Sequence, residues 1–237
     1  MTAIVVFGFV VGILYLTRPS NRSQPRAQAR TQPRGTTSAP RFSATTSLPP
    51  TTTSSTTTTD PGTLPQTNQL PAANTPQFTA EMQALWNGVV QGSVQPALPA
   101  FFPRSAYVQL KTGIGDPAGD WQNRLVADYA LDIGSAHSLL GTDPAQATFV
   151  SVSVPEQYAH WIPPGVCANG IGYYEVANSR VVYQVGGVTK SFGIASLISW
   201  RGEWYVVHFG AILRSGGGGE VDDPETGTGY SAPSSTC

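Results

Sequence analysis

Residues 179–212 read SRVVYQV, GG, VTKSFGIASLISW, RG, EWYVVHFGAI. Runs rich in β-branched and aromatic residues are broken by Gly186–Gly187 and Arg201–Gly202, two-residue turns of the kind that closes tight antiparallel hairpins. The second turn pairs Trp200 with Glu203, Ile198 with Tyr205 and Leu197 with Val206. Just upstream, Val150, Val152 and Val154 alternate with Ser151 and Ser153, which predicts a strand with one buried face.

Before Pro144 the apolar period is 3.6 instead of 2. Thr79 is the expected N-cap of a first helix, and Met82, Leu85, Trp86, Val89 and Val90 make one apolar stripe that ends at Gly92. PALPAFFPRSAY predicts a short helix or turn broken by Pro103. Asp116 as N-cap and Pro117 at the first position announce a second, longer helix. Its buried face is Trp121, Leu125, Tyr129, Ile133, Ala136 and Leu140, with Gly141 as the stop. Helices followed by an antiparallel meander define an α+β domain, with N-terminal helices packed on a curved sheet. Its expected span is 77–215, which holds all five Trp.

The flanks have a different texture. Residues 3–16, AIVVFGFVVGILYL, carry no charge and predict a short single-pass anchor over 1–17, slightly shorter than a full bilayer core requires. Residues 18–76 are an Arg-bearing and then Thr/Ser/Pro-rich segment with TTTSSTTTTD at its centre, which offers too little apolar surface to offset backbone ordering and reads as a disordered stalk. Residues 216–237 open on four glycines, carry four acids and end at Cys237, and read as a flexible tail. The Arg residues follow the apolar span, so the positive-inside rule opposes the extracytoplasmic placement that an exported stalk suggests. The formal net charge is −1, and only 11% of residues are charged, which argues against a nucleic-acid surface.

Chemistry-bearing residues are sparse. Asp120, Arg124, Asp128 and Asp132 recur at i+4 on the long helix; they read as a solvated charge ladder, with paired carboxylates for acid/base work as the sharper option. His137 falls in the last turn, where a cation complements the macrodipole. YAHWIPPGVCANGIGYY sets Tyr158, His160, Trp161 and Cys167 on a Pro/Gly-shaped loop, a candidate binding surface. Trp204 and His208 lie on an apolar strand and would line a small-ligand pocket if both faced inward. Cys167 and Cys237 are the expected disulfide pair. No metal site, cofactor motif or assigned catalytic residue emerges.

The order of helix, short helix, FFPRSAYVQLK, long helix and a meander ending in SFGIASLISWRGEWYVVHFGAI resembles the cystatin-like, nuclear-transport-factor-like cone fold. The whole chain resembles single-pass envelope proteins of actinobacteria that join an anchor and a Thr/Pro-rich stalk to one such domain. The resemblance bears on architecture and says little about chemistry. The sparse chemistry-bearing residues and the tethered layout point to a membrane-anchored extracytoplasmic binding or assembly module, without turnover of its own, facing a cell-wall or envelope-protein partner. The alternatives are an extracytoplasmic hydrolase or isomerase that uses Asp128, His160 or His208 in the cone, and a scaffold subunit of a secretion-type complex.

Overall fold

The computed structural model describes residues 60–214 and 216–233. Helix α1 spans Pro76–Gln91 and buries Phe78, Met82, Leu85, Trp86 and Val89. Its N-cap is Thr75, not Thr79: Pro76 occupies the first position, where its missing N–H costs nothing, and the Thr75 hydroxyl accepts from the Phe78 N–H. At the other end Gly92 sits at φ 60°, and a Cβ there would lie 3.2 Å from the His137 ring, so glycine meets both a conformational and a packing demand. Short helices α2 (Val94–Ala97) and α3 (Arg104–Leu110) flank the FFP segment.

The second long helix starts where expected, with the Asp116 side chain accepting from Gly119 N–H and Pro117 at the first position. It consists of α4 (Pro117–Asp120), a π-helical turn (Trp121–Leu125) and α5 (Val126–Ser138). Leu125, Tyr129, Ile133, Ala136 and Leu140 are buried as one face. Asp132 is buried as well.

Six strands follow: β1 (Thr148–Ser153), β2 (His160–Ile162), β3 (Tyr173–Val185), β4 (Val188–Trp200), β5 (Glu203–His208) and β6 (Asp222–Thr226). All pairings are antiparallel, in the order β1-β3-β4-β5, with β2 also on β3 and β6 also on β4. The domain is therefore α+β. VTKSFGI and ASLISW form one continuous strand, β4, that carries both hairpins. Gly186, Gly187, Arg201 and Gly202 all have positive φ, as the primed turns require, and Trp200–Glu203, Ile198–Tyr205 and Leu197–Val206 are in register.

Three further expectations are corrected. Val150 is 51% exposed, because a β-bulge between Phe149 and Ser151 adds a residue to β1 and turns it outward; Phe149 and Val152 face the core instead. The folded unit begins by residue 60, so the last part of the expected stalk belongs to the domain. Trp200 Nε1 donates to Pro61 O (3.1 Å), and Gln66 clamps the Arg201 turn by accepting from Arg201 N–H (2.6 Å) and donating to Ser199 O (2.9 Å). The tail is likewise structured through residue 233. Asp223 and Glu225 flank the buried Arg180 guanidinium at 3.3 and 3.7 Å, and β6 pairs with β4, so the tail's acids compensate a charge the sheet would otherwise bury alone. Residues 1–17 and 18–59 lie outside the described residues, as does Cys237. Among the described residues no helix is long and apolar enough to cross a membrane.

Candidate functional site

The position of His208 depends on a second bulge. Leu197 pairs with Val206 but Ser196 pairs with His208, so β5 carries one extra residue, Val207. A one-residue insertion reverses the alternation of side chains. Trp204 and His208, which would share a face in a regular strand, point to opposite faces. The bulge is held from outside the sheet. The Tyr129 hydroxyl on α5 lies 2.8 Å from Val207 O and 3.2 Å from Val206 O, and Phe102 N–H donates to Val206 O (2.9 Å).

The flip delivers His208 to a polar row across four strands. His160 on β2 is directly opposite Glu175 on β3, and its Nε2 is 3.5 Å from Glu175 Oε2. Ser196 on β4 donates to Glu175 Oε1 (3.0 Å) and is itself opposite His208. Glu175 is fully buried, whereas the His160 side chain is 35% exposed. His160 Nδ1 faces Tyr158 O at 3.2 Å; a carbonyl only accepts, so this nitrogen carries a proton. Nε2 and Glu175 Oε2 then stand as an imidazole–carboxyl dyad.

Cations approach this row from the helical layer. Lys111, at the end of α3, donates to Cys167 O (3.1 Å); burial and then Arg124 lower its pKa, while Asp120 and Glu175 oppose the shift. Burial, Arg124, Lys111 and Arg214 push His208 down to about 4, so its imidazole is neutral at neutral pH. Arg124 is held by Asp120 at 2.6 Å and also donates to Tyr107 OH (3.0 Å). That contact with Arg124 lowers the Asp120 pKa.

Other expected site residues do not converge. Trp161 points away from His160, packs edge-on against Tyr174 (5.0 Å between centroids) and covers Gly172. Tyr158 lies in the 3-10 turn that precedes β2, and its carbonyl faces His160 Nδ1. The buried Trp204 indole N–H has no hydrogen-bond partner. The helix ladder survives only as Asp120–Arg124. Asp128 and Asp132 turn instead to Arg214 (3.2 and 2.6 Å), and Asp132 also accepts from the Gly210 and Glu220 N–H groups, which makes it a structural latch. His137 Nδ1 caps α1 at Val89 O (2.9 Å). Cys167 is exposed at φ 49° and is not a free cysteine.

A second centre was not visible in the residue pattern. Beneath the FFP segment lies a cavity of about 290 Å³, lined by Leu98, Phe101, Pro103, Trp121, Tyr205 and Glu81. Glu81 is only 7% exposed. Gln77 Nε2 donates to Glu81 Oε1 (2.9 Å) and to Tyr205 OH (3.0 Å), while Glu81 Oε2 has no hydrogen-bond partner. Desolvation raises the Glu81 pKa to about 8 against the Gln77 hydrogen bond, and Glu203 adds to the rise. Tyr205 is raised too, first by burial and then by Glu81, Glu203 and Asp60. The available signal was one acid at position 81 beside Met82, on the border of an apolar stripe. It reads equally well as a solvated flank.

Among the described residues no cluster of three or more His, Cys, Asp or Glu is arranged to hold a metal ion. In comparisons with known proteins the chain matches no family model, no curated protein and no solved structure.

Proposed function

We propose that this chain is a membrane-anchored, extracytoplasmic binding module whose domain receives a small ligand in the Glu81 cavity. The observation that carries the reading is the cavity itself: about 290 Å³, with aromatic and aliphatic walls and one buried carboxyl that keeps an oxygen unpartnered. Few polar groups set in an apolar concavity are the usual composition of a small-molecule site. Residues 1–17 would serve as the anchor and the segment after them as the spacer. The order of elements supports the cone-type reading of the fold, and a Cys167–Cys237 bridge would tie the end of the tail to the 163–170 loop. A cell-wall component or envelope protein is the natural neighbour of a domain tethered in this way.

A fragment screen read by chemical-shift perturbation tests the reading. Hits should perturb the Trp121 indole and disappear in Leu98→Trp, which fills the cavity. Hits that persist in that variant, or no hits near Trp121, refute it.

One observation favours a second reading. The His160–Glu175 pair, braced by Ser196, has the composition of an acid/base dyad. An extracytoplasmic hydrolase or isomerase built on it would lose turnover in Glu175→Gln, with circular dichroism unchanged. Activity that survives this variant removes the reading.

A further inference from the structure

We propose that the Glu81 cavity binds a small organic cation, an ammonium group carried on an apolar body. The inference rests on the binding reading above and names the ligand class for that site. Three observations point to a cation over a neutral guest. Glu81 Oε2 is a buried carboxyl oxygen without a partner, and Gln77 holds the other oxygen so that the group cannot satisfy both by turning. Trp121, only part-buried, brings an aromatic ring to the wall beside the buried Phe101 and Tyr205, and such rings stabilise ammonium groups when water is excluded. The surrounding charge has one sign: Asp60 comes from the N-terminal turn, Glu81 from α1 and Glu203 from β5. The residues lining the cavity from the FFP segment, α2 side and π-helical turn include no lysine or arginine.

Binding is then linked to a proton. In the absence of ligand, desolvation holds the Glu81 carboxyl up at about 8, with Glu203 contributing and the Gln77 hydrogen bond opposing; Tyr205 is the other titratable group facing it. An ammonium that reaches the Glu81 carboxyl, whose Oε2 is closed to solvent in the free domain, supplies the missing counter-charge, and the carboxyl ionises as the ligand enters. The proton leaves to solvent. With the free site at about 8, ligation at pH 7 releases about 0.9 proton, and apparent affinity rises on the order of 100-fold between pH 6 and pH 9.

The test is isothermal titration calorimetry on the full chain in nonionic detergent, with benzyltrimethylammonium as the probe. Its charge is fixed, so every proton counted belongs to the protein. Titrations at pH 6, 7 and 9, and at pH 7 in two buffers of different ionisation enthalpy, should show the affinity rise and the release of close to one proton. Benzyl alcohol is the neutral arm. Glu81→Gln should lose both the proton release and the pH dependence, and Leu98→Trp should lose binding altogether. Benzyl alcohol binding with no benzyltrimethylammonium binding at pH 9 overturns the cation assignment and leaves the cavity reading intact; if neither binds, both fall. Cation binding without proton release at pH 7, or unchanged in Glu81→Gln, also overturns it. Should Glu81→Gln not fold, the wild-type proton count decides alone.

Discussion

Glu81 places a pH-dependent cost on the folded state that one substitution removes. An ordinary carboxyl at 4.5 is held at about 8 by burial in the native domain. The unfolded chain ionises above 4.5 while the folded chain stays protonated, so the group's contribution is fully present below pH 4.5 and is lost as pH rises through 8. The interval is about 3.5 pH units, and at ~1.4 kcal/mol per unit the loss is on the order of 3–5 kcal/mol. The amide introduced by Glu81→Gln keeps an acceptor for Gln77 and cannot ionise. Urea unfolding of wild type and Glu81→Gln, followed by tryptophan fluorescence from pH 4.5 to 9, gives the difference directly. Other titrating groups cancel in that difference. The variant should gain steadily on wild type up to about pH 8 and then hold constant. Parallel profiles would mean that Glu81 ionises normally, and the reasoning about the cavity would fail with it.

Other substitutions probe how the site is built. Tyr129→Phe removes the hydroxyl held against Val206 O and Val207 O at the β5 bulge; it should cost about 1–2 kcal/mol in urea unfolding and shift the His208 ring resonances. Asp132→Ala leaves Arg214 and the Gly210 and Glu220 N–H groups without their acceptor and should cost about 3–5 kcal/mol, with protease cleavage appearing between 210 and 220. His208, held near 4 against an ordinary 6.5, keeps its stability contribution above pH 6.5 and loses it as pH falls toward 4; His208→Gln should flatten that limb by on the order of 3 kcal/mol in acid titrations. A chain trimmed to 77–215 should unfold at lower urea than the full chain, because it lacks the Pro61 and Gln66 contacts and β6.

The candidate sites were legible to different degrees. His160 and His208 drew notice as rare residues, but the partners that unite them did not. Glu175 sits in YYEVA, where a lone acid resembles an ordinary interruption of a strand. Ser196 resembles any small strand residue. Their meeting depends on register across β2, β3, β4 and β5, which pairs residues far apart in the chain.

The sequence by itself determined the elements: the stripe of α1, the Asp116–Pro117 start of the long helix, and both glycine turns with the pairing of Trp200 to Glu203 and Leu197 to Val206. These follow from local rules of periodicity, capping and positive φ, which act over a few residues. Tertiary structure decided everything that turns on one residue more or less between distant partners. The bulge at Val207 sends His208 away from Trp204, and the bulge at Val150 turns that valine to water. A bulge leaves the local hydrophobic pattern unchanged; its energy lies in contacts from elsewhere, here Tyr129 and Phe102 on the β5 backbone. The acidic tail and Arg180 follow the same logic. Each has a flexible or exposed reading alone, and only their proximity makes a buried charge and its counter-charges.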